Sequence, residues 1–210
     1  MNTSIKTTPQ ERKLGFRVLF LGMFAIGTGQ TLFIAVLPPY ARGLGLSEVQ
    51  VGFIFSLSAL GWMLMSPYWG KRSDYLGRKS IIILGLIIYA ITTILMGVEF
   101  RLNELGVLNL STLFILLILT RGCYGFFGSG AHSASMAYVA DRTTERERSG
   151  VMAVMGSAFA ISGIVGPGLA SAAVMLGPLV PYFLFGGITA FIALLIFIYL
   201  PEKTKPIRPA

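Results

Sequence analysis

Residues 70–98 read GKRSDYLGRKSIIILGLIIYAITTILMGV: four cations and one acid set around two glycines, then no charge from Ser80 to Val98. An α-helix rises 1.5 Å per residue, so about 20 apolar residues cross a hydrocarbon core ~30 Å thick. The apolar stretch is long enough to span a bilayer, and the charged stretch is suited to turning at its surface. Outward from this point, similar apolar runs place spans at 18–39, 48–69, 80–98, 112–139, 150–175 and 181–200, joined by short polar linkers. Lipid offers backbone groups no hydrogen-bond partner, and the alternating pattern of a transmembrane barrel is absent, so each run is expected to be a helix. The expected fold class is an all-α membrane protein: a tail over 1–17, a six-helix transmembrane bundle over 18–200, and a tail over 201–210. The polar ends, 1–12 and 202–210, are expected to be disordered.

Composition agrees with that class. Hydrophobic residues make up 54% of the 210 and charged residues 12%, with a mean hydropathy of +0.75. Soluble domains carry about 25% charged residues, so a water-soluble fold is excluded. The single cysteine, Cys123, lies inside an apolar run, which removes disulfide, CxxC and zinc frameworks. Basic residues precede the first run as in a signal peptide, but no small-residue cleavage site follows, and the run is read as a retained helix.

The net charge of +8 has a clear location. With the amino terminus inside, Lys6, Arg12, Lys13, Arg17, Lys71, Arg72, Arg78, Lys79, Arg142, Arg146, Arg148, Lys203, Lys205 and Arg208 fall on one side. Only Arg42 and Arg101 fall on the other. The positive-inside rule places both termini in the cytoplasm. The charge is accounted for by topology and gives no reason to invoke nucleic acid.

The Gly70–Lys79 loop matches the GxxxDxxGRK signature of the major facilitator superfamily, with Gly70, Asp74, Gly77, Arg78 and Lys79 in the signature places. A positive-inside loop explains the cations but not a lone Asp74 between two glycines. The resemblance implies a gating loop, in which Asp74 latches the cytoplasmic side by meeting a helix terminus and neighbouring basic side chains. A carboxylate beside Arg78 and near a helix amino terminus gains from both opposite charge and the dipole. Asp141, Arg142, Glu145 and Arg146 resemble the family's cytoplasmic charge cluster facing that loop, although a solvated charge run accounts for them equally well.

Arg121-Gly-Cys-Tyr-Gly125 resembles the family's RxxxG element, with Tyr124 where glutamine is common. Arg121 lies roughly 13 Å into the fourth span, and a lipid-facing cation there would cost about 2.5–3.5 kcal/mol, so it is expected to point inward. Gln30, flanked by Thr28 and Thr31, is the matching polar group of the first span. Gln30, Arg121 and Gly125 form the expected transport pathway, although Gln30 serves equally well as a bond to a neighbouring helix. His132 is expected to be a packed, hydrogen-bonded histidine rather than a proton carrier.

Gly156, Ala160, Gly163, Pro167 and Ala170 recur at helical spacing as one small-residue face for helix packing. The run from Gly156 through Gly163 to Gly166-Pro167 also resembles the antiporter motif ending in GPxxGG, with Ala170-Ser171 in place of the final glycines. Pro167 cannot donate to the carbonyl of Gly163, so a bend is expected there. Leu200-Pro201-Glu202 resembles the close of the sixth helix in the drug:proton antiporter branch.

The resemblance covers the chain from the first span to residue 202. It implies the amino-terminal half of such a transporter, built as two inverted three-helix repeats, in the plasma membrane of a bacterium. The function expected is proton-coupled export of small or amphiphilic compounds, with lipid, substrate, proton, and a second six-helix half or a second copy as partners. No cofactor or metal is expected, and no P-loop or nucleophile triad argues for an enzyme. Uptake of a nutrient, or a non-transporting module that assembles with another transporter half, remain as alternatives. No acid falls in the middle of any expected span, which leaves the coupling carboxylate to Asp74 and Asp141 or to the other half.

Overall fold

The computed structural model describes residues 9–201. The expectations for residues 1–8 and 202–210 lie outside the described residues. Seven α-helices follow in order: α1 (Pro9–Gly43), α2 (Glu48–Leu76), α3 (Arg78–Glu104), α4 (Leu110–Cys123), α5 (Ser129–Ala140), α6 (Glu145–Val174) and α7 (Val180–Tyr199). A π-helical turn over Tyr124–Gly128 joins α4 to α5, so the two form one membrane span and the described residues hold six.

The helices outrun the apolar segments, because the hydrogen-bond ladder continues wherever polar ends find caps or partners. At the start of α2, Ser47 and Gln50 form a capping box, with the Gln50 side chain accepting from Ser47 N at 2.8 Å. At the start of α4, Asn109 Oδ1 accepts from Thr112 N at 2.8 Å. The α1 helix begins at Pro9, well inside the stretch expected as tail, and Arg12 pairs with Glu147 of α6 at 3.2 Å. Gly77 alone separates α2 from α3; its φ of +93° is a conformation that side chains rarely adopt, which explains a glycine at that place.

Packing follows the inverted repeat. The first span lies along the fifth (α1 on α6) and, equivalently, the fourth lies along the second (α4 and α5 on α2). The third and sixth spans, α3 and α7, pack on one another, and each also contacts the first or fourth span in the corresponding way. Exchanging spans one, two and three for four, five and six leaves these pairings unchanged.

Two apolar cores result. One is centred on Phe33, Tyr89, Phe100, Tyr124 and Tyr182; the other, nearer the Gly70–Lys79 loop, is built on Leu19, Ile82, Ala134, Tyr138 and Ile196. Small residues permit the closest approaches. A Cβ on Gly85 would lie 2.6 Å from Ala131 N, which brings α3 and α5 into backbone contact.

Three features add detail to the expectations. The fourth span is helical throughout but not α-helical throughout, because the glycine-rich stretch from Gly122 to Gly130 admits the π turn. On α6 the expected small-residue stripe divides between two faces, with Ala170 and the motif's Gly166 turned into the chain. Met155, Ala158, Ser162, Gly166, Ala170 and Ala173 are buried against α1, whereas Gly156, Ala160, Gly163 and Pro167 are exposed. The buried row is also small, and Ser162 and Gly166 let α1 approach closely at Gly27 and Thr31. Finally, α3 runs on to Glu104, so Glu99 is an acid within a membrane span, and it is buried.

Candidate functional site

Arg121 sits in the last turn of α4, just before the π turn, and is 4% exposed. Its guanidinium lies over the Phe33 ring at 4.1 Å and the Tyr124 ring at 4.9 Å. Such contacts are worth about 0.5–2 kcal/mol each, the larger value when desolvated. Arg121 Nη2 donates to Gln30 Oε1, and Gln30 Nε2 in turn donates to the Tyr124 hydroxyl. The amide of Gln30 therefore bridges α1 and the fourth span, and its orientation is set at both ends. Arg121 has no ion pair among the described residues, and its Nε is buried without a partner.

This cluster opens onto a groove of about 310 Å³ lined by Gln30, Ile34, Phe55, Ser58, Ala59, Trp62 and Arg121. Trp62 stacks at a tilt on Tyr124 (5.7 Å) and on His132 (6.2 Å), and His132 meets Phe159 edge-on at 5.2 Å. The groove combines an aromatic and aliphatic wall with a cationic floor, a pattern suited to an amphiphile.

The π turn shapes this site. Gly125 lies against the backbone of α2, where a Cβ would collide with the Ser58 carbonyl and stand 2.9 Å from its Cα. Trp69 Nε1 donates to Phe126 O at 2.8 Å and so ties α2 to the turn. The expected transport residues Gln30, Arg121 and Gly125 are thus brought together. Tyr124, Phe33 and Trp62 were missed, although Tyr124 stands three places after Arg121 on the same helical face.

The Gly70–Lys79 segment, which forms the end of α2, Gly77 and the start of α3 rather than the expected loop, makes a second cluster around Arg78. Arg78 pairs with Asp74, with Asp141 (Nε to Oδ2, 3.1 Å) and with the Gly70 carbonyl (Nη1 to O, 3.1 Å), and it donates to Ser73 Oγ. Lys79 lies over the Phe197 ring of α7 at 5.3 Å. Of the expected charge cluster, Asp141 alone reaches Arg78. Arg142 stacks on Tyr138 at 3.6 Å and donates to Pro201 O at 3.3 Å, and Glu145 and Arg146 are exposed at the start of α6.

A family model described as Major Facilitator Superfamily matches residues 19–210. The chain belongs to that superfamily. Multidrug resistance protein 2 of Bacillus subtilis is 29% identical to this superfamily member over 97% of the chain and 48% of its own length. The quinolone resistance protein NorA of Staphylococcus aureus is 28% identical over 89% of the chain and 46% of its own length. The crystal structure of the human organic anion transporter MFSD10 (TETRAN) superposes with a TM-score of 0.70 at 25% identity, over 93% of this chain and 49% of that one. The chain spans about half the length of the curated relatives it matches.

Proposed function

We propose that this superfamily member exports small amphiphilic compounds at the expense of a proton gradient. The observation that carries the reading is the buried, uncompensated Arg121 at the floor of an aromatic groove. An apolar substrate body would lie on Trp62, Phe55 and Ile34, and its anionic or acceptor group would replace the Gln30 oxygen on Arg121. Relatives named for multidrug and quinolone resistance and for organic anion transport support a substrate of this kind.

Transport by this unit needs a second wall. Only 22% of the α2 and α6 spans is buried, against 61% for α1 and 56% for α3, and the groove lies partly on α2. A second six-helix unit or a second copy packs on the α2 and α6 faces and closes the groove, with the exposed Gly156 and Gly163 permitting close approach. The Arg78–Asp74–Asp141 cluster, on the cytoplasmic side with both termini, acts as the latch that breaks as the unit rocks.

Reconstitution tests this reading, with particle mass measured beside flux. The expected particle is larger than one 22.7 kDa chain and shows saturable, proton-gradient-driven movement of an amphiphilic dye. A strictly monomeric particle with the same flux would overturn the need for a second wall, and flux indifferent to the gradient would overturn proton coupling.

A further inference from the structure

Glu99 is a carboxyl group inside a membrane helix, and among the described residues no cation pairs with it. It lies five residues before the end of α3 at Glu104, about 8 Å in along the helix axis, and is 7% exposed. Its Oε1 accepts from the Thr120 hydroxyl of α4, while its Oε2 is buried and has no partner.

The charged groups on the elements packed with α3 and α4 are bonded elsewhere. On α3 itself, Arg101 is exposed and pairs with Glu104 at 2.9 Å. From α1, the Tyr40 hydroxyl donates to Glu104. From α7, the Tyr182 ring packs on Phe100 at 5.5 Å, and its hydroxyl is buried without a partner. From α4, Arg121 is bonded to Gln30. On α2, Glu48 pairs with Arg42, and His132 of α5 lies between Trp62 and Phe159. No ion pair reaches Glu99 among the described residues.

A carboxylate with one hydroxyl donor, one empty oxygen and no counter-charge is strongly disfavoured at low dielectric, whereas the neutral acid is tolerated. We propose that Glu99 is a proton-binding site. With α3 and α4 packed together it holds a proton as a neutral acid, and separation of the two helices admits water and lets it ionise. The step is a reversible proton exchange between the Glu99 carboxyl and water at the Glu104 end of α3. Thr120, which holds Glu99, is adjacent in sequence to Arg121. Ionisation on one face of α4 therefore displaces the helix that carries the substrate-facing cation on another. This inference deepens the proton-driven export reading and rests on it, with the Glu104 end of α3 on the outer side.

Two measurements on the reconstituted protein separate the inference from that reading. Infrared difference spectra of wild type and Glu99→Gln at pH 7 report protonation directly. The expected result is a carboxylic-acid C=O band in wild type that is lost in the variant, and its absence in wild type would overturn the site. Dye flux against an imposed pH gradient reports coupling. Glu99→Gln is expected to lose the gradient response and Glu99→Asp to retain part of it; an unchanged response in Glu99→Gln would overturn the coupling role. A wild type without any gradient response overturns proton-driven export and the coupling role together, while the infrared band still decides whether Glu99 carries a proton.

Discussion

Gly122 and Gly125 lie three residues apart in the same span, and alanine at each should have opposite consequences. At Gly125 the new Cβ would meet the Ser58 carbonyl, and it would stand 2.9 Å from Ser58 Cα and 3.0 Å from Ser58 C. These are backbone atoms that no rotamer change can move, so α2 and the π turn must part. Overpacking of this kind costs about 1–3 kcal/mol. At roughly 2–4 °C per kcal/mol for a chain of this size, Gly125→Ala should lower the melting midpoint by about 2–12 °C. It should also displace Tyr124, which opens the turn, and Arg121, which precedes it. At Gly122 the nearest atom to a new Cβ is Leu57 Cδ2 at 3.5 Å, an ordinary contact, and alanine gains up to about 1 kcal/mol in helix propensity. Gly122→Ala should be neutral or mildly stabilising. Thermal unfolding in nanodiscs followed by tryptophan fluorescence checks both variants. Equal midpoints for the two variants would refute the packing account of the π turn.

Arg121→Lys should keep part of the flux and Arg121→Ala none, because ammonium retains the charge but not the planar fork that spans Phe33, Tyr124 and Gln30; dye flux at matched expression decides. Asp141→Asn should weaken the Arg78 cluster by about 1 kcal/mol or less, since the pair is partly exposed, and the loss should shrink with added salt; a double-mutant cycle with Arg78→Gln measures it. Asp74→Asn should reduce flux more than expression, and unchanged flux in a well-expressed variant would remove the latch role. Gly163→Leu should leave the melting of the single chain nearly unchanged, because nothing lies within 4 Å, yet weaken assembly with a second unit, as read by cross-linking yield. Cysteine labelling should find positions 71 and 146 protected from impermeant outside reagents, as cytoplasmic loops require.

The six spans were legible because lipid leaves an apolar run only one way to satisfy its backbone. Their ends were less so: α1 and α3 continue past the apolar residues because Arg12, Glu104 and their partners hold the polar turns in the helix. Glu99 was hidden by this effect. It belongs to the buried face of Tyr89, Thr92 and Met96, and helical spacing carried past Val98 would have found it. Arg121 and Gln30 were legible singly from the expense of polar groups in lipid. Their bridge to Tyr124 was not, since it depends on how the first span packs against the fourth and sets the Gln30 amide between Arg121 and Tyr124. The small residues of α6 were legible, but their division between two faces was not: Gly166 and Ala170 join Ala158 and Ser162 on the buried side, and Gly156, Ala160 and Gly163 are exposed.

Everted membrane vesicles from the native host, carrying raised levels of the protein, test the central claim most directly. Uptake of an amphiphilic dye into such vesicles corresponds to export from the cell. Wild-type vesicles should take up dye in a saturable manner that collapses when the pH gradient is discharged, and vesicles with equal amounts of Arg121→Ala should show only the background of unmodified membrane. Gradient-driven uptake of equal rate and saturation in the Arg121→Ala vesicles would contradict the account.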